Sequence, residues 1–208
     1  MAFQQAPIGM RSRSQNQRRK RIVQTAAALA LRGGVEAMQM RTVAERAGVA
    51  LGTLYRYFPS KMDLVVAVVA EELDLLEASI DRRPPTAETA AGRAVDVLMR
   101  ATRGLMREPE LADALVRSLI MTEANTELGA RITDLLWRVA HRSPDAEGEG
   151  PESGVPEPPD RADPAYIRVA SLASVWIFEL LEVLKGARDV DEVQHRLEIA
   201  AEPLLADR

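Results

Sequence analysis

Within residues 51–61 stand Leu51, Gly52, Thr53, Tyr55, Arg56, Tyr57 and Lys61. These types make contacts with a polyanion rather than move electrons or protons. A Thr side chain suits a base edge or a thymine methyl, while Tyr hydroxyls and the Lys and Arg cations donate to phosphate oxygens. Gly52 lets a helix approach a duplex closely. Either Tyr could instead pack within its own module. Upstream, Arg41 and Thr42 suit phosphate through side chain and helix N-terminal backbone N–H. Arg11 and Arg13 are of the kind that enters a narrow A·T-rich minor groove. Solubility is the plainer account of those two, but the RRKR run at 18–21 that follows exceeds what solubility requires.

Catalytic chemistry fails on inventory. The chain has no Cys, which removes thiolate catalysis, disulfides and Cys-ligated metal. Its two histidines, His141 and His195, lie far apart with neither a nucleophile nor a ligand partner nearby. Glu71 and Glu72 are adjacent on an expected helix and so do not share a face. The GG and AGV glycines lack phosphate-loop spacing. Hence no catalytic residue, no metal site and no cofactor is expected.

Charge separates the chain into two parts. Residues 1–61 carry eleven Lys or Arg against Glu36 and Glu45, a net +9, whereas residues 62–208 carry −13. A basic head on an acidic body fits a module that binds a polyanion while the rest is repelled from it. A basic tail beside a solvated acidic domain would give the same numbers. No run reaches the 18 or so apolar residues of a membrane span. The first residues, MAFQQAPIGMRSRS, lack the apolar stretch of a secretory signal. A cytoplasmic protein without membrane contact is expected.

These residues must be positioned by helices. Ala, Leu, Arg, Glu and Met dominate, and no β-branched run alternates at period two. Residues 1–14 read as a flexible basic arm and 15–60 as a helix-turn-helix domain. A first helix over 16–32 buries Ile22, Ala26, Leu29 and Ala30 and ends at Gly33-Gly34. Its opening Arg18, Arg19, Lys20 and Arg21 oppose the helix dipole, so their placement points to function. Short helices at 41–47 and 51–57 flank an AGVA turn, with Val43, Ala44, Ala47, Val49, Leu54 and Phe58 as core. Ser60 caps a long helix over 61–80. Residues 61–208 form a helical domain, with helices at 86–107, 111–122, 126–142, 165–185 and 190–206. Residues 143–164 hold six Pro, three Gly and seven acids against one Arg. They read as a disordered acidic loop.

The stretch GGVEAMQMRTVAERAGVALGTLYRYFPSKMDL, residues 33–64, resembles the N-terminal domain of the TetR family of transcriptional regulators. Residues 18–33 extend the likeness as its first helix. The RRKRI start and the GTLYRYFPSK run are most similar to the actinobacterial cholesterol-catabolism repressors of that family. One departure is Ala50, where a Ser or Thr often caps the recognition helix; the lost cap costs about 1 kcal/mol. The resemblance implies an all-α fold, a three-helix helix-turn-helix head on a larger helical body that binds effector and dimerises. It also places Thr42, Thr53, Tyr55, Tyr57 and Lys61 at positions used for DNA.

In the body, Leu98, Met99, Met106, Leu119, Met121, Trp137, Trp176 and Phe178 are the candidates for an effector pocket suited to a large apolar ligand. Plain core packing is the competing account for any one of them. Leu172, Trp176, Leu180, Leu197 and Leu204 lie on stripes fit for an intermolecular four-helix bundle. The expected protein is a homodimeric repressor on palindromic operator DNA, released by an apolar effector, with a steroid or acyl thioester as the implied class. Alternatives are an activator, an effector-independent DNA-binding regulator and, most remotely, a helical protein-interaction scaffold.

Overall fold

In the computed structural model the described residues are 8–107, 109–110, 112–113, 116, 125–142 and 157–206, and all their regular elements are helical. The order is α1 (Ile8–Ala37), α2 (Met40–Ala47), α3 (Leu51–Tyr57), α4 (Lys61–Arg82), α5 (Ala90–Leu105), α6 (Asn125–Ala140), α7 (Pro164–Leu184) and α8 (Val190–Leu205). The chain divides into two compact units, 1–71 and 72–208. The division falls inside α4 rather than at its start, because its first turns bury Leu64, Val65, Val68 and Val69.

The first unit follows its sequence signals closely, with two differences. Helix α1 starts at Ile8 rather than near residue 16, so its backbone includes residues 8–14 of the expected basic arm. After Pro7 only Gly9 strongly opposes helix there, and Met10, Arg11 and Arg13 favour it. At the other end Gly34 takes φ 64° and ψ −170°, a conformation open essentially only to Gly. That break turns the chain into α2. Ile22, Ala26, Leu29 and Ala30 are buried as their spacing demands, together with Val43, Ala44, Ala47, Leu54 and Phe58. Val49 is only half-buried, since it follows the turn rather than lying within a helix.

Gly48 ends α2 at φ 64° and ψ 42°, its N–H reaching the carbonyls of Ala44 and Glu45. Ala50 supplies no side-chain cap to α3. Helix α4 instead opens on a reciprocal cap. The Ser60 backbone N–H and hydroxyl both donate to Asp63 Oδ2, at 2.8 and 2.7 Å, and the Asp63 N–H returns to Ser60 Oγ at 3.1 Å.

In the second unit α5 packs on α6 and α8, and α7 on α6 and α8. Thr89 and Asp163 cap α5 and α7 through their side chains. The guanidinium of Arg93 gathers carbonyls of Ala87, Glu88, Val139 and Ala140, tying the entry of α5 to the C-terminus of α6. Buried Glu179 accepts from Arg188 at 2.6 Å and Arg196 at 2.9 Å, which joins α7 to α8 across their turn. The helix expected over 111–122 lies mostly outside the described residues; of it, Ala112 and Val116 are helical and buried. Of the expected acidic loop, 143–156 lie outside the described residues, 157–163 are irregular, and Pro164 already belongs to α7. No helix among the described residues is long and apolar enough to cross a membrane.

Candidate nucleic-acid interface

Helix α3 touches the core through one side chain, Leu54, with Phe58 burying itself just beyond the C-terminus. Everything else on that helix is available. Gly52, Tyr55 and Arg56 are exposed, while Leu51, Thr53 and Tyr57 are half-buried. A seven-residue helix held by so little would not persist alone. It is fixed by its ends: the Gly48 turn before it, and Phe58 and the α4 cap after it. The result is a short rod whose polar side is presented rather than packed.

Charge at this surface is largely uncompensated. Among the described residues, the side chains of Arg41, Arg56, Tyr55 and Tyr57 make no hydrogen bond or ion pair. Arg41 is exposed and Thr42 half-buried at the opening turn of α2. Lys61 Nζ lies 3.9 Å from Glu36 Oε2, but Glu36 is almost fully exposed. Such a pair is weak and easily exchanged for a phosphate. Arg11 and Arg13 stand on the helical backbone of α1, and their side chains lie outside the described residues.

The basic run at 18–21, which lies nearly three turns inside α1 rather than at its opening, divides its labour in a way that spacing alone did not disclose. Arg21 Nε donates at 2.9 Å to the carbonyl of Ala47, the last residue of α2. A cation there also meets the negative end of the α2 dipole. Arg19 stacks 5.3 Å above the Phe58 ring centroid, a favourable cation–π placement. Lys20 lies 4.0 Å from Glu71. Two of these four cations therefore hold the helix-turn-helix together at the two ends of the segment that carries α3.

The body corrects several expectations. Leu172, Trp176, Leu180 and Leu197 are at most 3% exposed. They form this subunit's own core, not a surface that a second copy could meet; Leu204 alone of the five is partly open. The exposed apolar side chains of α7 and α8 are Ile167, Phe178 and Ile199. Phe178, 55% exposed, thus does not line an interior pocket. Leu98, Met99, Trp137 and Trp176 are buried and Met106 half-buried, while Leu119 and Met121 lie outside the described residues. Trp176 Nε1 donates to Thr102 Oγ1 at 2.8 Å, and that hydroxyl donates to the Leu98 carbonyl. This buried relay is what a packed core requires of an indole. A cavity of about 30 Å³ beside Arg93 and Arg138 is bordered by none of the eight expected pocket residues.

Residues 22–68 match the family of bacterial regulatory proteins called tetR. Over 198 residues the chain is 37% identical to the HTH-type transcriptional repressor KstR of Rhodococcus jostii, spanning 94% of this chain and 86% of that protein. The chain belongs to the TetR family. KstR of Mycobacterium tuberculosis is 32% identical over 197 residues, covering 95% of this chain and 84% of the relative. A TetR transcriptional regulator from Rhodococcus sp. RHA1, known as a crystal structure, superposes with a TM-score of 0.77 at 28% identity over 93% of this chain and 98% of that one. The TetR-family match covers α2, α3 and the second half of α1, so the surface described above belongs to a DNA-binding helix-turn-helix domain. Both KstR likenesses extend well beyond it, through the helical body.

Proposed function

We propose that this TetR-family regulator represses transcription as a homodimer on a palindromic operator. Each head lays α3 in the major groove of one half-site. Thr53, with Leu51 and Gly52, faces base edges, and Tyr55, Arg56, Tyr57 and Lys61 grip phosphates alongside Arg41 and Thr42 at the start of α2. The observation that carries this reading is α3 itself: a helix that buries only Leu54 and leaves its tyrosines and arginine without partners among the described residues. Arg11 and Arg13 extend the grip into the flanking minor groove.

The second copy docks on α7 and α8 through Ile167, Phe178 and Ile199, which replace the buried leucines as the apolar centre of the interface. An apolar effector, a steroid or acyl thioester, binds the body and lowers the population of dimers whose heads span both half-sites. The high share of apolar helix in the body and its likeness to KstR along most of the chain support this class. The protein acts in the cytoplasm, and steroid or lipid catabolism genes are its expected targets.

Selection of bound fragments from an actinobacterial genomic library tests the reading. The expected outcome is one palindrome upstream of steroid or lipid catabolism genes. A palindrome beside unrelated genes would remove the catabolic assignment and keep the operator mechanism, and recovery without sequence preference would overturn both.

A further inference from the structure

Between α1 and the C-terminal turn of α2 the head holds a groove of about 320 Å³, bordered by Arg21, Gln24, Thr25, Leu29, Arg32 and Arg46. No carboxylate lines it. Arg21 uses Nε on Ala47 and leaves its terminal nitrogens open; Arg32, Arg46 and Gln24 make no side-chain hydrogen bond or ion pair among the described residues. In the body several arginines are engaged instead. There Arg93 is held by carbonyls, and Arg100, Arg131, Arg188 and Arg196 each engage a carboxylate. Three guanidinium groups around one groove repel one another; the C-terminus of α2, near Arg21 and Arg46, offsets part of that repulsion, but no carboxylate among the described residues pairs with Arg32 or Arg46.

Spacing narrows the ligand. Arg21 and Arg32 lie three turns apart on α1, about 16 Å at 1.5 Å per residue, with Arg46 on the opposite wall. One small anion cannot reach all three. A chain of phosphates can, and the planar guanidinium fork matches phosphate oxygens. We infer that this groove binds an extended phosphate chain, either the sugar–phosphate backbone of duplex DNA or a free polyphosphate. None of the residues assigned to operator contact lines it. The DNA source rests on the operator-binding reading; the polyphosphate source does not.

The full-length protein and the double variant Arg32→Gln/Arg46→Gln are compared, with Arg82→Gln/Arg107→Gln as a charge-matched control. Arg21 is left intact because it joins α1 to α2. Calorimetric titration of DNA-free protein with a long-chain inorganic polyphosphate should show binding that the groove variant weakens at least tenfold and the control does not. Anisotropy of a labelled duplex across a salt series should show the slope of log K against log salt fall by about 1.8 in the groove variant, 0.9 for each phosphate that the variant leaves unneutralised. Loss of slope, with or without weaker polyphosphate binding, assigns the groove to the DNA backbone. Weaker polyphosphate binding with an unchanged slope assigns it to a free polyanion. If neither moves relative to the control, the inference is wrong. Should the wild type bind no duplex at all, the operator reading falls and the polyphosphate titration alone decides the groove.

Discussion

Phe178→Glu separates the proposed dimer surface from the core. Phe178 lies on α7 and is 55% exposed, whereas its neighbours Glu179 and Leu180 are at most 3% exposed. Of the roughly 200 Å² that a Phe presents, about 110 Å² is therefore still uncovered in one subunit. At ~25 cal/mol per Å², covering that area contributes about 2.7 kcal/mol per copy, or about 5 kcal/mol for a symmetric pair. Losing it raises the dimer dissociation constant by three to four decades, and Glu adds the cost of a charge taken from water. Even half that burial leaves close to two decades. Sedimentation equilibrium should show wild type dimeric at micromolar concentration and the variant monomeric, with helix content retained because the subunit core does not use this ring. Operator affinity should fall in parallel, since one head reads only half a palindrome. A variant that stays dimeric and keeps full operator affinity would refute the assignment of this face, and with it the argument from exposure.

Lys61→Ala should weaken DNA binding evenly across sequences and lower the salt slope by about one; an unchanged slope removes Lys61 from the phosphate contacts. Thr53→Val should instead shift preference at particular base pairs by about 1–3 kcal/mol, read by competition among operator variants. Gly48→Ala should cost about 1–2 kcal/mol, because its φ is 64° while nothing lies within 4 Å of the added methyl. Chemical denaturation of the variant checks whether backbone strain alone acts there. Tyr166 is buried, and burial, followed by its 2.8 Å hydrogen bond to Asp134, raises its pKa above the usual 10.0. The folded state thus favours the neutral phenol, giving stability that is present below pH 10 and lost as pH rises from there through the folded pKa. Tyr166→Phe should be less stable than wild type at pH 8, and the gap should narrow above pH 10. A constant gap would show that Tyr166 is not linked to pH.

How much the sequence disclosed differs between the two units, for a physical reason. In the head, local rules suffice. Gly48 must sit where φ is positive, Ser60 and Asp63 must meet at a helix start, and Leu54 must be the one side of α3 that packs. Each is settled by residues a few positions apart. Arg21 escapes that logic because its partner, the Ala47 carbonyl, is 26 residues away and carries no side-chain signature. Arg19 over Phe58 escapes it for the same reason. A run of four cations reads as uniformly exposed, although two of them stabilise the motif.

The body shows where periodicity reaches its limit. Along α7, Val169, Leu172, Trp176 and Leu180 repeat at helical spacing, and so do Ile167, Ser171, Ser174 and Phe178. Pattern alone cannot say which stripe faces the subunit's own α5, α6 and α8 and which faces outward. Burial decides it: the first stripe is enclosed, and the second keeps Ile167 and Phe178 about half uncovered with small Ser side chains between them. A helix apolar on both sides belongs in an interior. For α7 one side of that interior is supplied by its own chain. On the proposed homodimer a second copy covers the other side, and the short Ser side chains between Ile167 and Phe178 leave room for its α7 to pack closely across a two-fold axis.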